Sequence, residues 1–459
     1  MWPRVKATLI IALCAAPVIA LLASEVLDRR GSRELAEAEA RARALGIPID
    51  YKDPYYTRWT LGSMGENGAF YYETAFTLLA SDKGADAMPA LPLIGRKGDV
   101  DPDPRKPLPP DRVEQMKAYL SDRANILTLL HQGAECPTCR FSVEWRGMGT
   151  LLPHLTRARQ SARMVALQMW LYAEEGRPAE AIRLSGDAFA LARPLFEEPA
   201  TISALVGSAI DLITVGIAVR RVLARTEPMN EDLLVLQQRL MRAAGDVSLR
   251  AAARGEVAYV GDLYRRMAGG LPYRDDKELH KFTSDGPGRR AWLWLLRGSV
   301  QAERARVLHV MIGFAQKVEN PAPDILAKSY YFTDWSPALE PLRYFPSIDE
   351  VPNLPSALRQ HACTRAKLMS AAACVAAMRY KNDKGKWPTT LDDLVPSYID
   401  TVPTDPFTGK ALIYRQREGG IVVYSVGLNG TDDGGSGSDL SLGEHYDEAH
   451  DDVGFRVWK

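Results

Sequence analysis

Apolar residues recur along most of this chain at three- and four-residue steps, the spacing of an amphipathic helix. From Asp111 onward Val113, Met116, Leu120, Leu127 and Leu130 keep that period. The same signal predicts helices near 153–175, 178–194, 199–225, 230–244, 246–268 and 289–318. Gly176-Arg177-Pro178 breaks two of them, with Pro178 placed to open a helix. The pair from Trp170 to Leu191 looks like one tetratricopeptide-type hairpin, but no 34-residue repeat surrounds it. The helical part therefore reads as an α-helical hairpin array.

Two stretches break the pattern. Residues 89–110 contain seven prolines and predict a loop. Residues 321–355 contain seven more, interleaved with aromatics such as Tyr330 and Trp335, and predict an extended connector packed onto the helices. The domains expected are an N-terminal segment (1–30), a polar helix and Pro-rich loop (31–110), a helical domain (111–320), the connector (321–361) and a C-terminal module (362–459).

The N-terminal segment carries an uncharged run of about 18 residues, Ala7 to Ser24, preceded by Arg4 and Lys6. That length just crosses ~30 Å of hydrocarbon, and the basic flank predicts N-terminus inside, bulk outside. A cleaved signal peptide is the alternative, and it too exports the remainder. Cys14 follows Leu13 and is a poor lipoprotein acceptor. The expectation is single-pass anchoring in the cytoplasmic membrane through residues 7–24, with most of the chain outside the cytoplasm. Ala200 to Val219 is also long and apolar, but Asp211 at its centre favours a buried helix of a folded body over a second span.

Composition narrows the classes. The 459 residues are 46% hydrophobic and 25% charged, a globular balance. Fifty-seven basic and 57 acidic side chains cancel, so the bulk charge of a nucleic-acid binder is missing. The acids are uneven: residues 430–452 hold eight and no Lys or Arg, leaving the rest of the chain net basic.

Five cysteines are too few for a disulfide scaffold. Only Cys136 and Cys139 are spaced for joint chemistry. With His131 and His154 nearby they have the ligand count of a zinc site, or could cycle redox. In an oxidising compartment a local disulfide is the preferred reading, and no catalytic role is assigned. No nucleophile elbow, phosphate loop, dinucleotide fingerprint or zincin motif occurs in the chain.

The last hundred residues are the most specific. A helical stretch, Ala362 to Lys381, puts Leu368, Ala372, Val375, Ala376 and Tyr380 on one face. Asn382-Asp383-Lys384-Gly385-Lys386-Trp387-Pro388-Thr389-Thr390 follows, then a leucine-rich turn and Asp405-Pro406-Phe407-Thr408-Gly409. Two short strands, 411–414 and 421–425, flank a turn at Gly419-Gly420. Ser425, Gly427, Asn429-Gly430, Gly434-Gly435 and Asp451-Asp452 complete the order. Over residues 363–459 this resembles the soluble part of the major pseudopilin of type II secretion systems.

The resemblance implies a helix packed on a small antiparallel sheet and a calcium-stabilised loop. The fold class expected is thus mainly α, a hairpin array followed by a small α+β pseudopilin-like module. The candidate calcium ligands are Asn429, Asp432, Asp433, Asp451 and Asp452. Their oxygens suit a hard divalent cation, and the glycines let backbone carbonyls turn inward. A solvated acidic tail is the alternative. The chain lacks the family's processing site, and over 330 residues separate the apolar segment from the module, so packing into a pilus is not expected. The function expected is that of an exported bacterial envelope protein, a structural or interaction element engaging an envelope protein partner. The alternative is an envelope enzyme with its active site in the helical domain.

Overall fold

The computed structural model describes residues 2–57, 66–81, 91–94, 103–268, 297–319, 354–436 and 452–458. It is mainly helical, with one small antiparallel sheet near the C-terminus.

Helix α1 (Trp2–Ala44) runs unbroken through the apolar segment and the polar stretch that follows it. Its second half buries Gly31, Leu35, Ala38 and Ala42, one helical stripe of mostly small residues. Small side chains allow close approach to the helix Arg297–Glu319, which presents Leu308, Met311, Ile312 and Ala315. Glu39 and Arg304 close the seam with an ion pair of 2.7 Å.

Two short helices that the periodicity did not predict follow, α2 (Pro54–Thr57) and α3 (Ala69–Ser81). The helical signal after Asp111 is split into α4 (Pro110–Ser121) and α5 (Ala124–Glu135). The expected hairpin is present as α6 (Pro153–Glu174) and α7 (Pro178–Glu197). Gly176 turns between them at φ +69°, where a side chain would be strained, and Arg177 N–H caps the Tyr172 carbonyl at 2.8 Å. Of the Pro-rich loop, the described part 103–109 is tied to this hairpin. Glu174 accepts the Leu108 N–H, and Arg221 bridges Glu174 (2.7 Å) and the Lys106 carbonyl (2.9 Å). The Arg221 side chain is fully buried and lies over Trp170, 4.6 Å from the ring centroid.

The apolar run near 200–225 forms α8 (Thr201–Leu212), a π-helical segment (Ile213–Val219) and α9 (Arg220–Arg225). It is long and apolar enough to cross a membrane, yet 72% of its most apolar window is buried by α6, α7 and the helix Leu354–Lys384. Trp170 donates its indole N–H to the Ile217 carbonyl inside the π segment. Helices α10 (Asn230–Asp246), α11 (Arg250–Ala268) and α12 (Arg297–Glu319) complete the body.

Helix α13 (Leu354–Lys384) starts eight residues before the predicted Ala362, inside the stretch read as connector. The remainder of that connector, 320–353, lies outside the described residues. Every residue from Leu368 to Met378 is buried. A helix apolar all round must be enclosed. One side packs on the sheet and another on α10 and α8. The sheet has strand order β1 (Ile413–Arg417), β2 (Gly420–Ser425), β3 (Val453–Trp458). Both pairings are antiparallel, with Tyr414 opposite Val423 and Val423 opposite Phe455. The third strand was not predicted, because Val453-Gly454-Phe455 follows the acidic run without a turn signal.

One group inside this core is costly. Asp211 is fully buried and neither carboxylate oxygen has a hydrogen-bond partner. Burial, then the charge of Asp246, pushes its pKa well above the ordinary value. An acid that holds its proton more tightly when folded loses stability as pH climbs from the unfolded pKa toward the native one. Asp211→Asn should therefore melt like the wild type at about pH 4 and gain a few degrees over it by about pH 8. A melting difference that stays flat across that range would refute the buried-acid account.

Candidate functional site

The described part of the acidic loop, up to Ser436, leaves the end of β2, and Gly435 packs on Tyr424 of that strand. Strand β2 delivers Tyr424, and Asn429-Gly430 and Gly434-Gly435 turn the chain back, with φ of +67°, +79° and +82° at Gly430, Gly434 and Gly435. A Cβ on Gly435 would press on the Tyr424 ring at 3.2 Å. Four of the five predicted ligands lie among the described residues. Asn429 donates its amide to Asp433 at 2.7 Å. Asp432 accepts from the Tyr424 hydroxyl at 2.7 Å, from Gly434 N–H at 3.0 Å and from Arg415. Burial pushes the Asp432 carboxyl up, but these donors outweigh it and hold its pKa below the ordinary value. Asp452 is fully buried, and one of its oxygens accepts the Gly435 N–H at 2.6 Å. The other oxygen is buried without a partner among the described residues. Burial and then the charges of Asp433 and Asp432 raise the Asp452 pKa. Asp451 lies outside the described residues.

Asp452 and Asp433 carry the oxygens that suit a hard cation, whereas Asn429 already spends its Oδ1 on the Thr431 N–H at 2.9 Å. Asp452 sits among the described residues with one oxygen bonded to the Gly435 N–H and beside the like charges of Asp433 and Asp432, which raise the cost of ionisation. Asp432 is different: both its oxygens are engaged by the protein. It braces the turn through Arg415 and Tyr424. Among the described residues, no group of three or more His, Cys, Asp or Glu side chains is already gathered for a metal ion.

The second predicted pair lies at the end of α5. Cys136 caps that helix, its thiol 3.4 Å from the Gln132 carbonyl, and Cys139 is buried three residues on. Both are free thiols in this structure. Burial, then the nearby Glu198 charge, drives the Cys139 thiol pKa far up, so it is a weak nucleophile. The two neighbouring histidines are each held by a carboxylate. His131 meets Asp187 at 3.1 Å, and buried His154 meets Glu198 at 2.8 Å while stacking on Phe141 at 4.5 Å between ring centroids.

A cleft that the sequence did not announce opens where α8, α11 and α13 converge. It encloses about 650 Å³, within the range of small-molecule sites. Tyr51 and Trp145 form one wall, both leaning on Tyr56 at 4.9 and 5.6 Å between centroids. Leu152, Ile202, Leu205 and Tyr259 supply most of the rest. Two charged side chains line it. Glu256, nearly inaccessible, accepts the N–H of Thr201, the first residue of α8, at 3.0 Å. Burial raises the pKa of its carboxyl. Arg359 donates to Ser356 at 3.1 Å and has no carboxylate partner among the described residues. These residues come from five separate stretches of chain, and no local motif links them.

None of the family models, curated proteins or solved structures compared with this chain matches it.

The two cysteines generate a direct test. We propose that Cys136 and Cys139 form a local disulfide once the chain is in an oxidising compartment. Alkylation of protein taken from the cell envelope should then leave both unmodified until a reductant is added. Stoichiometric zinc in that preparation, or free alkylation of both thiols, would rule the disulfide out.

Proposed function

We propose that this chain is an exported, membrane-anchored protein of a bacterial envelope. It works as a structural or interaction element through its C-terminal helix-on-sheet module, which resembles the soluble part of the type II secretion major pseudopilin. The observation that carries this reading is the continuity of α1. Residues 7–24 cross the cytoplasmic membrane, and the same helix continues for twenty residues beyond them, packed along α12 through Gly31, Leu35, Ala38 and Ala42. Such a helix joins the span to the folded body without a flexible linker. The other long apolar helix, Thr201–Arg225, is spent on the body's own core, which supports a single span.

The module does not present all of its surface. Its helix α13 is covered on one side by the sheet and on the other by α10. The surface left for an envelope protein partner is the outer part of the sheet and the acidic loop. We propose that calcium orders that loop, held by Asp452, Asp433 and glycine carbonyls, with Asp451 a further ligand. Its role is structural: it neutralises carboxylates that otherwise repel one another.

The alternative, an envelope enzyme, draws on the cleft, where Glu256 is a buried carboxyl of raised pKa. Its hydrogen bond to the start of α8 gives it a structural duty that accounts for its place, so the interaction reading is preferred.

Two measurements test this. With the outer membrane opened and the inner one intact, added protease should reach the C-terminal module. Protection of the module would return Thr201–Arg225 to the membrane and sink the single-span topology. Capture of envelope partners by crosslinking in intact cells should require the module's exposed face. For the metal, the full chain should melt several degrees higher in calcium than in chelator, because a ligand at about 100-fold excess over Kd stabilises by about 2.7 kcal/mol. Magnesium, with its tighter octahedron, should do less. Asp433→Asn with Asp452→Asn should abolish the calcium increment. Equal melting and equal protease sensitivity of the loop with and without calcium would leave only the solvated acidic segment.

A further inference from the structure

We propose that the cleft between α8, α11 and α13 binds a single-chain amphiphile with an anionic head of the long-chain carboxylate class. The apolar chain lies against Leu152, Ile202 and Leu205, and the carboxylate sits on Arg359.

Three observations point this way. The first is the uncompensated cation. A guanidinium stays charged at any physiological pH, and one beside a cleft with no carboxylate in reach favours an anionic occupant. Among the described residues Arg359 reaches only the Ser356 hydroxyl, and its Nε is buried there without a partner. A cationic ligand would meet Arg359 unfavourably, and a neutral one would leave it unpaired. The second is the state of the other charged group. Glu256, the carboxylate that shares the cleft, is committed to the Thr201 N–H at the start of α8 and makes no ion pair with Arg359 among the described residues. The third is the apolar character of walls and rim. Ile202 lines the cleft and is 52% exposed, and Leu151, between the lining residues Thr150 and Leu152, is 80% exposed. Large aliphatic side chains left in water around a concave site mark a surface that an apolar group covers. The volume of about 650 Å³ admits a chain of many methylenes and is far larger than a bare carboxylate or inorganic anion needs.

The test uses the full chain with α1 in a lipid nanodisc and a diazirine-bearing laurate analogue. After illumination, peptide mass spectrometry should place the label around 145–152 and 199–205, the segments that bring Trp145, Leu152, Ile202 and Leu205 to the cleft. Unlabelled laurate should compete, and dodecanol should compete about tenfold less well, the worth of one charge-assisted hydrogen-bonded head group. Arg359→Gln should cut cleft labelling by about the same factor, and Arg359→Lys should restore part of it. Ile202→Trp, which fills the mouth from an exposed position, should block labelling while the melting temperature stays that of the wild type. Label confined to α1, or cleft labelling indifferent to both Arg359→Gln and Ile202→Trp, would overturn the site. Equal competition by dodecanol and laurate would overturn the anionic head.

Discussion

The enclosure of α13 is the constraint on which the rest of the molecule depends. Eleven consecutive residues, Leu368 to Met378, are buried, so the helix needs protein on every side. Its alanines let neighbours approach closely. Cys374 donates its thiol to the Phe455 carbonyl of β3 at 3.3 Å on the sheet side. On the opposite side Arg379 bonds the Gln237 side chain of α10 at 2.8 Å, and Asn230 bonds Asp383 at 2.7 Å. Gln237 in turn donates to the Tyr398 carbonyl, and Arg220 of α9 lies 4.8 Å from the Trp458 ring centroid. A small sheet of three strands draws its stability from the apolar face it buries against a helix. Here it shares its helix with the helical body, so the two are stabilised by the same buried surface.

That sharing shapes what the module can do. A helix sandwiched between sheet and body has no free side of its own. The cleft arises from the same arrangement. Helix α13 packs on α8, and near its N-terminal end Ser356 and Arg359 line the same cleft as Thr201 and Glu256. Docking the module thus creates a concavity that neither part would hold by itself.

The helical body also carries polar groups that its core would be more stable without. Asp211, Ser203 and Ser208 are fully buried on α8 without hydrogen bonds from their side chains. The α-helix gives way to a π segment two residues after Asp211. Such departures cost stability and persist where the surrounding packing over-determines them. Here the enclosing helices α6, α7 and α13 supply that packing.

The sequence by itself determined the helices with clean periodicity. The hairpin α6–α7, with Gly176 and Pro178 at its turn, and the strands flanking Gly419 were legible, since each depends on residues a few positions apart. The unbroken α1 was only half legible: the apolar run and the polar helix were both visible, but not that no turn divides them. Helix α3 was missed because Ala69–Ser81 carries apolar residues nearly all round and lacks a clean period. The acidic loop was legible as a set of oxygen donors. Its division of labour was not, because Asp432 is taken by Arg415 and Tyr424 from the sheet, and Asp452 is placed by the pairing of the next residue, Val453, with the distant Ser425. The cleft was wholly illegible. Tyr51, Trp145, Glu256 and Arg359 share no spacing, and only the packing of α8, α11 and α13 sets an arginine without a counter-charge beside an apolar wall. Local periodicity writes the elements. The charges left unpaired and the oxygens left unsatisfied are decided by which distant elements meet, and that is set by the burial of α13.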